Sequence, residues 1–291
     1  MPPSPERGPL VRIGIFIGFL ALVLVAWEGL KLIGGDPWRI DREVVWQPPI
    51  EIWFASDLML PHVWDIAGAL AAPVQRNAEE SLAQFLAGAA FYTWREAFIG
   101  FVFGAVIGIA LAAAFVQSRL LERAFVPYVI ASQTIPIVAL APMIVFAFGP
   151  NVTSVVIIAT YLTFFPVTIA MIRGLRSPDP RALELMRSYA ASDWNVFWKV
   201  RMPASMPYLF TALKVAATAS IVGAIVGEGP GGIPDGLGRA IINFNNQYIS
   251  GPEKLWATIV ACALLGILFF TIIRFIEVTT LRRRGLRTEA A

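Results

Sequence analysis

Long uncharged apolar runs alternate along the chain with shorter polar segments. Residues 97–117 contain no charged side chain, and residues 124–172 contain none over a length that suits two membrane spans with a turn near Pro150. A helix needs about 20 apolar residues to cross a hydrocarbon core about 30 Å thick. The pattern therefore predicts an all-α integral membrane protein with six transmembrane helices, at residues 11–33, 93–115, 124–147, 152–172, 205–227 and 254–276.

These spans divide the chain into four predicted regions. Residues 1–33 form an N-terminal tail and a first transmembrane helix, because the apolar run is too long for a signal-peptide core and no small-residue cleavage site follows it. Residues 34–92 form an extracytoplasmic segment with short helices on the membrane interface. Residues 93–276 form a core of five transmembrane helices, and residues 277–291 form a basic cytoplasmic tail.

Composition supports a membrane protein. The chain is 57% hydrophobic and only 15% charged, with a mean hydropathy of +0.68, whereas a soluble domain is about 25% charged. The net charge of +3 reflects where the positive residues lie and does not indicate nucleic-acid binding.

Lys and Arg are distributed unevenly between the two predicted sides of the membrane. Positive residues near span ends favour the cytoplasmic side, and most of the 23 Lys and Arg residues fall on one side when both termini lie there. The distribution predicts a multi-pass protein of the bacterial cytoplasmic (inner) membrane with both termini in the cytoplasm.

The chain lacks the sequence patterns of catalytic and nucleotide-binding sites. It has no G-x-x-x-x-G-K-[ST] phosphate loop, no H-E-x-x-H, no G-x-S-x-G and no Cys or His pairs at metal spacing. Its one histidine, His62, has no second histidine to share a metal with. We therefore expect no enzyme activity and no cofactor in this chain.

Ion-coupled carriers bury ionisable groups in the middle of their spans. The nearest cases here lie toward predicted span ends, and Lys214 is expected to extend its ammonium group toward the interface. The pattern disfavours a carrier coupled to protons or sodium. The four residues concerned are Glu28, Arg95, Glu96 and Lys214.

The predicted cytoplasmic loop at residues 177–203 is the most informative segment. Its spacing predicts a first helix at 181–191, a break at Ser192-Asp193 where either residue caps the next helix, and a second helix at 194–201 that Pro203 ends. Two short amphipathic helices joined at an angle suit docking into a groove of a partner protein. An ordinary solvated helix is the alternative.

This loop resembles the signature loop of ABC importer permeases, E-A-A-x3-G-x9-I-x-L-P. The resemblance implies a type I ABC importer permease fold, in which the loop inserts a coupling helix into the ATPase subunit. The Gly position is occupied by Ala190, so we expect a turn that does not need a positive φ. The matching positions are Glu184, Leu185, Met186, Ala190, Val200, Met202 and Pro203. The implied ATPase contacts are Glu184, Leu185, Met186, Arg187, Ser188, Tyr189, Ala190, Ala191, Ser192, Asp193 and Pro203.

Other segments resemble the nitrate/sulfonate/taurine-type permeases. Residues 93–108 are similar to the second span of that group, and Gly100, Gly104, Gly108 and Ala112 form a small-residue stripe that allows close helix packing. Residues 131–142 are most similar to permeases for thiamine-precursor pyrimidines and riboflavin.

The polar residues of that last segment are candidates for the translocation pathway. Pro136 and Pro142 are expected to break the helix and free carbonyl groups toward a cavity. Neutral donors and acceptors suit an uncharged heterocycle. Interhelical hydrogen bonding, worth about 1 kcal/mol per bond, is the alternative. The candidates are Ser132, Gln133, Thr134 and Pro136, together with Glu228 in the glycine-rich outer loop 227–232, which is predicted to form a re-entrant or gate element near the pore mouth.

The resemblance also implies the partners. It implies a homodimer around one pathway, two ATP-binding cassette subunits that hold ATP and Mg²⁺, an extracytoplasmic solute-binding protein and membrane lipid. The substrate would be a pyrimidine thiamine precursor or a riboflavin-like heterocycle, with sulfonate, taurine, nitrate or bicarbonate as the alternative. A stand-alone channel or secondary carrier would not need the loop, and a membrane enzyme would need a polar catalytic cluster.

Overall fold

The computed structural model describes residues 9–40, 43–75, 78–229 and 233–283. Helices form most of the described chain, as the hydropathy pattern predicts. They are α1 Pro9–Gly34, α2 Val63–Ala71, α3 Leu82–Gln117, α4 Arg119–Ser132, α5 Ile137–Phe148, α6 Val152–Leu175, α7 Pro180–Ser188, α8 Asp193–Val196, α9 Met202–Glu228, α10 Leu237–Asn246 and α11 Pro252–Arg283, with single 3₁₀ turns at Trp53–Ala55 and Tyr248–Ser250 and a π turn at Phe197–Arg201.

Among the residues that the structure describes, five helical stretches are long and apolar enough to cross a membrane: Gly14–Gly34, Leu82–Gln117, Val152–Leu175, Asp193–Glu228 and Pro252–Arg282. The pair α4 and α5 makes a sixth if the two helices form one span. The fold is therefore the predicted helical membrane fold. Helix α3 is longer than the span predicted at residues 93–115, because it begins at Leu82.

The span predicted at residues 124–147 is divided into two helices, α4 and α5. The axes of α4 and α5 differ in direction by 97°, and the break lies at residues 133–136. Pro136 has no N–H and restricts the residue before it, so it ends the first helix as predicted. Pro142 does not break the helix and lies inside α5. The φ of proline suits a helix, and its missing N–H removes only one backbone hydrogen bond while the flanking bonds remain.

A short antiparallel hairpin in the outer segment was not predicted. β1 (Trp38–Ile40) pairs with β2 (Glu43–Trp46), with Trp38 opposite Trp46. Valine and tryptophan favour extended backbone on a half-exposed surface. The short helical elements of this segment are α2 and the 3₁₀ turn at Trp53–Ala55, and their location on the membrane interface stays a prediction.

The chain forms two compact units. Among the described residues, the first unit comprises 9–84 together with 244–257, and the second comprises 85–243 together with 258–283.

In the first unit, the outer segment is attached to the C-terminal end of α1 by buried charge. The Lys31 side chain is fully buried, and its Nζ donates to Asp57 Oδ1 at 2.5 Å and to the Leu60 carbonyl at 2.6 Å. Glu28 accepts from the Val63 amide at 2.7 Å and lies 2.7 Å from His62 Nδ1. His62 is thus a hydrogen-bond partner of Glu28.

In the second unit, α6 and α9 pack side by side over their whole length. A Cβ at Gly223 would lie 2.8 Å from Ala159 Cα, and one at Gly227 would lie 3.2 Å from Val155 Cα. Small residues therefore let the two backbones approach closely. The predicted stripe on α3 packs in the same way, with Gly104 against Thr163 of α6.

Candidate functional sites

Hydrogen bonds join the two ends of the loop between α6 and α9. Arg201 Nη1 donates to the carbonyl of Leu175 at 2.9 Å. Ser177 Oγ donates to Gly174 O at 2.8 Å and lies 3.5 Å from Ala204 O. These bonds join the two sides of the loop.

The first loop helix, α7, presents apolar side chains to its surroundings. Asp179 caps its start, with Oδ1 accepting from the Arg181 amide at 2.9 Å, and Pro180 occupies the first turn. Every residue of α7 is exposed or only half-buried. Leu185 is 57% exposed and Tyr189, which follows the helix, is 77% exposed.

The expectation that Ala190 sits in an ordinary turn is wrong. Ala190 has φ of +50°, in the left-handed region that favours glycine. The Ala190 amide donates to Arg187 O at 2.9 Å and the Ala191 amide donates to Met186 O at 3.0 Å. This pair of bonds is the Schellman motif, which closes a helix with one left-handed residue. The chain therefore adopts the glycine conformation with an alanine.

The second loop helix begins where predicted but does not end there. Ser192 is its cap, with Oγ accepting from the Asn195 amide at 3.4 Å. The helix continues from Asp193 to Glu228 through the π turn, so Pro203 does not terminate it. The last π bond runs from the Met202 amide to Phe197 O. The helix thus changes from π to α hydrogen bonding immediately before Pro203, which has no N–H to donate.

Two exposed tryptophans extend the apolar surface of the loop. Trp194 is 67% and Trp198 49% exposed, and their rings meet edge to face with centroids 5.5 Å apart. Neither is among the predicted contact residues, although their four-residue spacing after the Ser192 cap places them on one helix face. We call Leu185, Tyr189, Trp194 and Trp198 the loop patch.

The predicted contact residues 184–193 all lie on this bent segment. Pro203 is set apart from them, because it is half-buried in the continuous helix that leads into α9. The exposed members are Glu184, Leu185, Arg187, Ser188, Tyr189, Ala190, Ser192 and Asp193, and the half-buried members are Met186 and Ala191.

The predicted pathway residues 132–136 form the bend between α4 and α5. Ser132 Oγ donates to Val129 O at 2.8 Å and Thr134 Oγ1 donates to Ala131 O at 2.8 Å. The Tyr161 hydroxyl of α6 donates to the Ser132 carbonyl, which the break leaves without a helical partner. Gln133 is half-buried, and its Nε2 lies 3.5 Å from Ser132 Oγ.

Glu228 holds the turn that precedes α10. Its side chain is fully buried, and Oε2 accepts from the Gly238 amide at 2.6 Å. The neighbouring Leu237 amide donates to Thr93 Oγ1 at 2.8 Å, and Gly236 turns past the carboxylate with φ of +99°. Residues 230–232 of the predicted gate loop lie outside the described residues.

A second buried carboxyl, Glu96, was missed by sequence reasoning. It is fully buried and interacts with Glu228 and Tyr92. The hydropathy pattern put Arg95 and Glu96 beside a span start at 93, but they lie well inside α3.

Lys214 was predicted to extend toward the interface, and this is wrong. Its Nζ pairs with Glu277 Oε2 of α11 at 2.8 Å, and the two side chains are only 17% and 7% exposed. The salt bridge gives each buried charge a partner of opposite sign, which offsets part of the cost of removing it from water.

Comparison with known proteins finds a family, several relatives and a fold. Residues 104–281 match the family model described as "Binding-protein-dependent transport system inner membrane component". The formylaminopyrimidine transport permease protein ThiX of Halalkalibacterium halodurans is 36% identical over 179 residues, which cover 62% of this chain and 70% of that protein. The riboflavin transport system permease protein RibX of Chloroflexus aurantiacus is 32% identical over 173 residues, covering 60% and 62%.

More distant relatives carry other names. The taurine transport system permease protein TauC of Escherichia coli is 25% identical over 210 residues, covering 72% of this chain and 69% of that protein. A crystal structure of an amino acid ABC transporter with histidines superposes with a TM-score of 0.53 over 68% of this chain and 93% of that one. At 18% identity, this likeness supports the fold alone.

Proposed function

Because the chain belongs to the family of binding-protein-dependent transport system inner membrane components and is a permease subunit of an ABC importer, we propose that it forms the translocation pathway for a small heterocycle. In this proposal a solute-binding protein delivers the substrate, and two ATP-binding cassette subunits, which hold ATP and Mg²⁺, drive its passage. The observation that carries the proposal is the exposed loop patch between α6 and α9. It lies on a loop whose two ends are joined by the hydrogen bond from Arg201 to the Leu175 carbonyl.

The loop geometry supports coupling to a partner ATPase. The four side chains of the loop patch expose apolar surface at the end of a rigid helix pair, which is the arrangement expected of a segment that another protein covers. Closure of the ATPase dimer would displace the patch. The Arg201–Leu175 hydrogen bond would then carry the displacement into α6 and α9, so that one two-state motion links both sides of the membrane.

A second copy of the chain fits the exposed helices of the second unit. All residues of α4 are exposed or half-buried, and Ala141 is the buried residue of α5. A homodimer would place the bend between α4 and α5 of both copies, each with its Gln133, beside one pathway. It would also cover part of this exposed surface. With the positive residues inside, both termini would lie in the cytoplasm of a bacterium.

The substrate proposal rests on the relatives and on the bend. The two relatives above 30% identity described here are named for formylaminopyrimidine and riboflavin transport. Gln133 and Thr134 offer neutral hydrogen-bonding groups, which suit an uncharged heterocycle and which would not balance the charge of a sulfonate. Transport of taurine or another sulfonate is the second candidate, favoured by relatives such as TauC.

The coupling proposal is tested on the purified complex of this chain with its ATPase subunit in lipid nanodiscs. Leu185→Ala and Tyr189→Ala should each weaken assembly about tenfold and reduce the ATPase stimulation by loaded binding protein, because anchors in an interface contribute on the order of 1–2 kcal/mol each. Leu58→Ala is the matched control, since Leu58 is 40% exposed in the outer segment. If the loop variants assemble and respond as the wild type does, this loop is not the coupling element.

The substrate proposal needs a separate measurement. Calorimetry on the partner solute-binding protein should detect a formylaminopyrimidine or riboflavin and not taurine. Uptake into proteoliposomes should fall at least fivefold in Gln133→Ala, while ATPase stimulation persists. Gln117→Ala is the control, because the Gln117 side chain bonds to Ala113 in its own helix at 3.2 Å. Binding of taurine alone would favour the second candidate.

A further inference from the structure

The first unit contains a cavity of about 600 Å³ that neither the coupling loop nor the helix bend involves. It lies between the hairpin β1–β2, the segment after the 3₁₀ turn at Trp53–Ala55 and the start of α2. Its volume falls within the range of sites for small organic molecules. The lining of the cavity includes Asp36, Trp38, Asp57, His62, Trp64 and Asp65.

One wall of the cavity is a cluster of three aromatic rings. His62 stacks on Trp64 with centroids 4.1 Å apart, and Trp38 meets both rings edge to face, at 4.9 Å from His62 and 5.4 Å from Trp64. Glu28 fixes the His62 ring from behind through Nδ1 at 2.7 Å. The rings are therefore held in place before any ligand arrives, which lowers the entropic cost of binding.

The other wall carries carboxylates in excess of cations. Asp36 Oδ2 accepts from the Asp57 amide at 2.7 Å, and Asp57 pairs with Lys31 at 2.5 Å. Asp65 adds a third carboxyl group. Burial raises the pKa of Asp65, and His62 acts in the opposite direction, so a bound cation would favour its ionised form. The cavity is thus both aromatic and electronegative.

From this combination we propose that the cavity is a binding site for a small organic cation. A cation over a tryptophan face gains about 0.5–2 kcal/mol from the ring quadrupole, and the carboxylates supply the opposite charge. The ammonium group would come either from a dissolved amine or from a lipid headgroup, since both present the same chemistry. The site does not depend on the transport proposal, because it uses none of the residues of the loop patch or of the bend.

The test uses the full chain in nanodiscs of phosphatidylglycerol, with choline as the probe and 3,3-dimethylbutanol as its uncharged isostere. Calorimetry should detect choline and not the alcohol. Trp64→Leu and Asp65→Asn should each weaken choline binding about fivefold or more. Trp53→Leu is the matched control, since Trp53 is 75% exposed and outside the cavity. Circular dichroism checks that the variants fold.

A second arm distinguishes the source of the ammonium group. Native mass spectrometry in nanodiscs with phosphatidylcholine should show lipid retained by the wild type and lost in Trp64→Leu if a headgroup occupies the cavity. Choline binding in phosphatidylglycerol supports a dissolved ligand. Equal binding of the alcohol, unchanged binding by both cavity variants, or neither choline binding nor lipid retention would overturn the proposal.

Discussion

The amide of Ala191 donates a hydrogen bond to the carbonyl oxygen of Met186 across 3.0 Å. This bond closes α7 and holds the intervening Ala190 at φ of +50°. It thereby sets the angle at which the two helices of the loop between α6 and α9 meet. A side chain at this position opposes the conformation that the loop requires, and the neighbouring hydrogen bonds offset that strain.

Glycine at position 190 should stabilise the loop. Ala190→Gly removes the left-handed strain of about 1 kcal/mol, so the Ala191 amide should exchange with deuterium about fivefold more slowly. Ala190→Val should act in the opposite direction, because a β-branched residue tolerates a positive φ least. Hydrogen exchange measured by mass spectrometry over residues 184–193 checks both. Faster exchange in the glycine variant would contradict the assigned geometry.

Two glycines of α3 should respond in opposite ways to alanine. A Cβ at Gly104 would lie 2.8 Å from Thr163 Cγ2 and 2.9 Å from Thr160 O, so Gly104→Ala should cost about 1–3 kcal/mol of stability by overpacking. Gly88 has open space around it, and Gly88→Ala should gain about 0.5–1 kcal/mol of helix propensity. Thermal unfolding in one detergent compares them. Shifts of the same sign would refute the close α3–α6 contact.

The ion pair between Lys214 and Glu277 should show strong coupling. Lys214→Met leaves a carboxylate buried without its partner and should cost about 3 kcal/mol or more. The double variant Lys214→Met with Glu277→Met should recover most of that loss, because no unpaired charge remains. A double-mutant cycle on unfolding midpoints measures the coupling. Additive effects of the two substitutions would show that the pair contributes nothing.

Thr93 should hold the turn before α10. Thr93→Val leaves the buried Leu237 amide without its acceptor, at a cost of about 1–3 kcal/mol, and residues 233–240 should exchange with deuterium faster. Thr271→Val is the control, because the Thr271 hydroxyl bonds to Ile267 O in its own helix at 2.7 Å. If both variants leave exchange in this segment unchanged, Thr93 does not anchor the turn.

Much of the fold and part of the candidate site followed from local patterns. Hydropathy summed over about 20 residues depends on the bilayer and not on neighbouring helices, so the membrane-spanning character of α1, α3, α6, α9 and α11 was predictable. The loop helices and the Ser192 cap also depend on residues close in sequence. The small-residue stripe on α3 indicated close helix packing, although only the structure identified α6 as the helix that packs against it.

What the tertiary structure alone decided involves residues far apart in the chain. Thr93 and the Leu237 amide are 144 positions apart, and His62 and Glu28 are 34 apart. Side-chain composition near either residue does not specify such a partner, because pairing depends on how whole helices pack. The same reason explains why Lys214 pairs with Glu277 and why Glu96 lies beside Glu228. The sequence by itself determined that the chain enters a membrane and where the loop between α6 and α9 lies, since both depend on local hydropathy and spacing. Packing decided which charges are buried and what holds them.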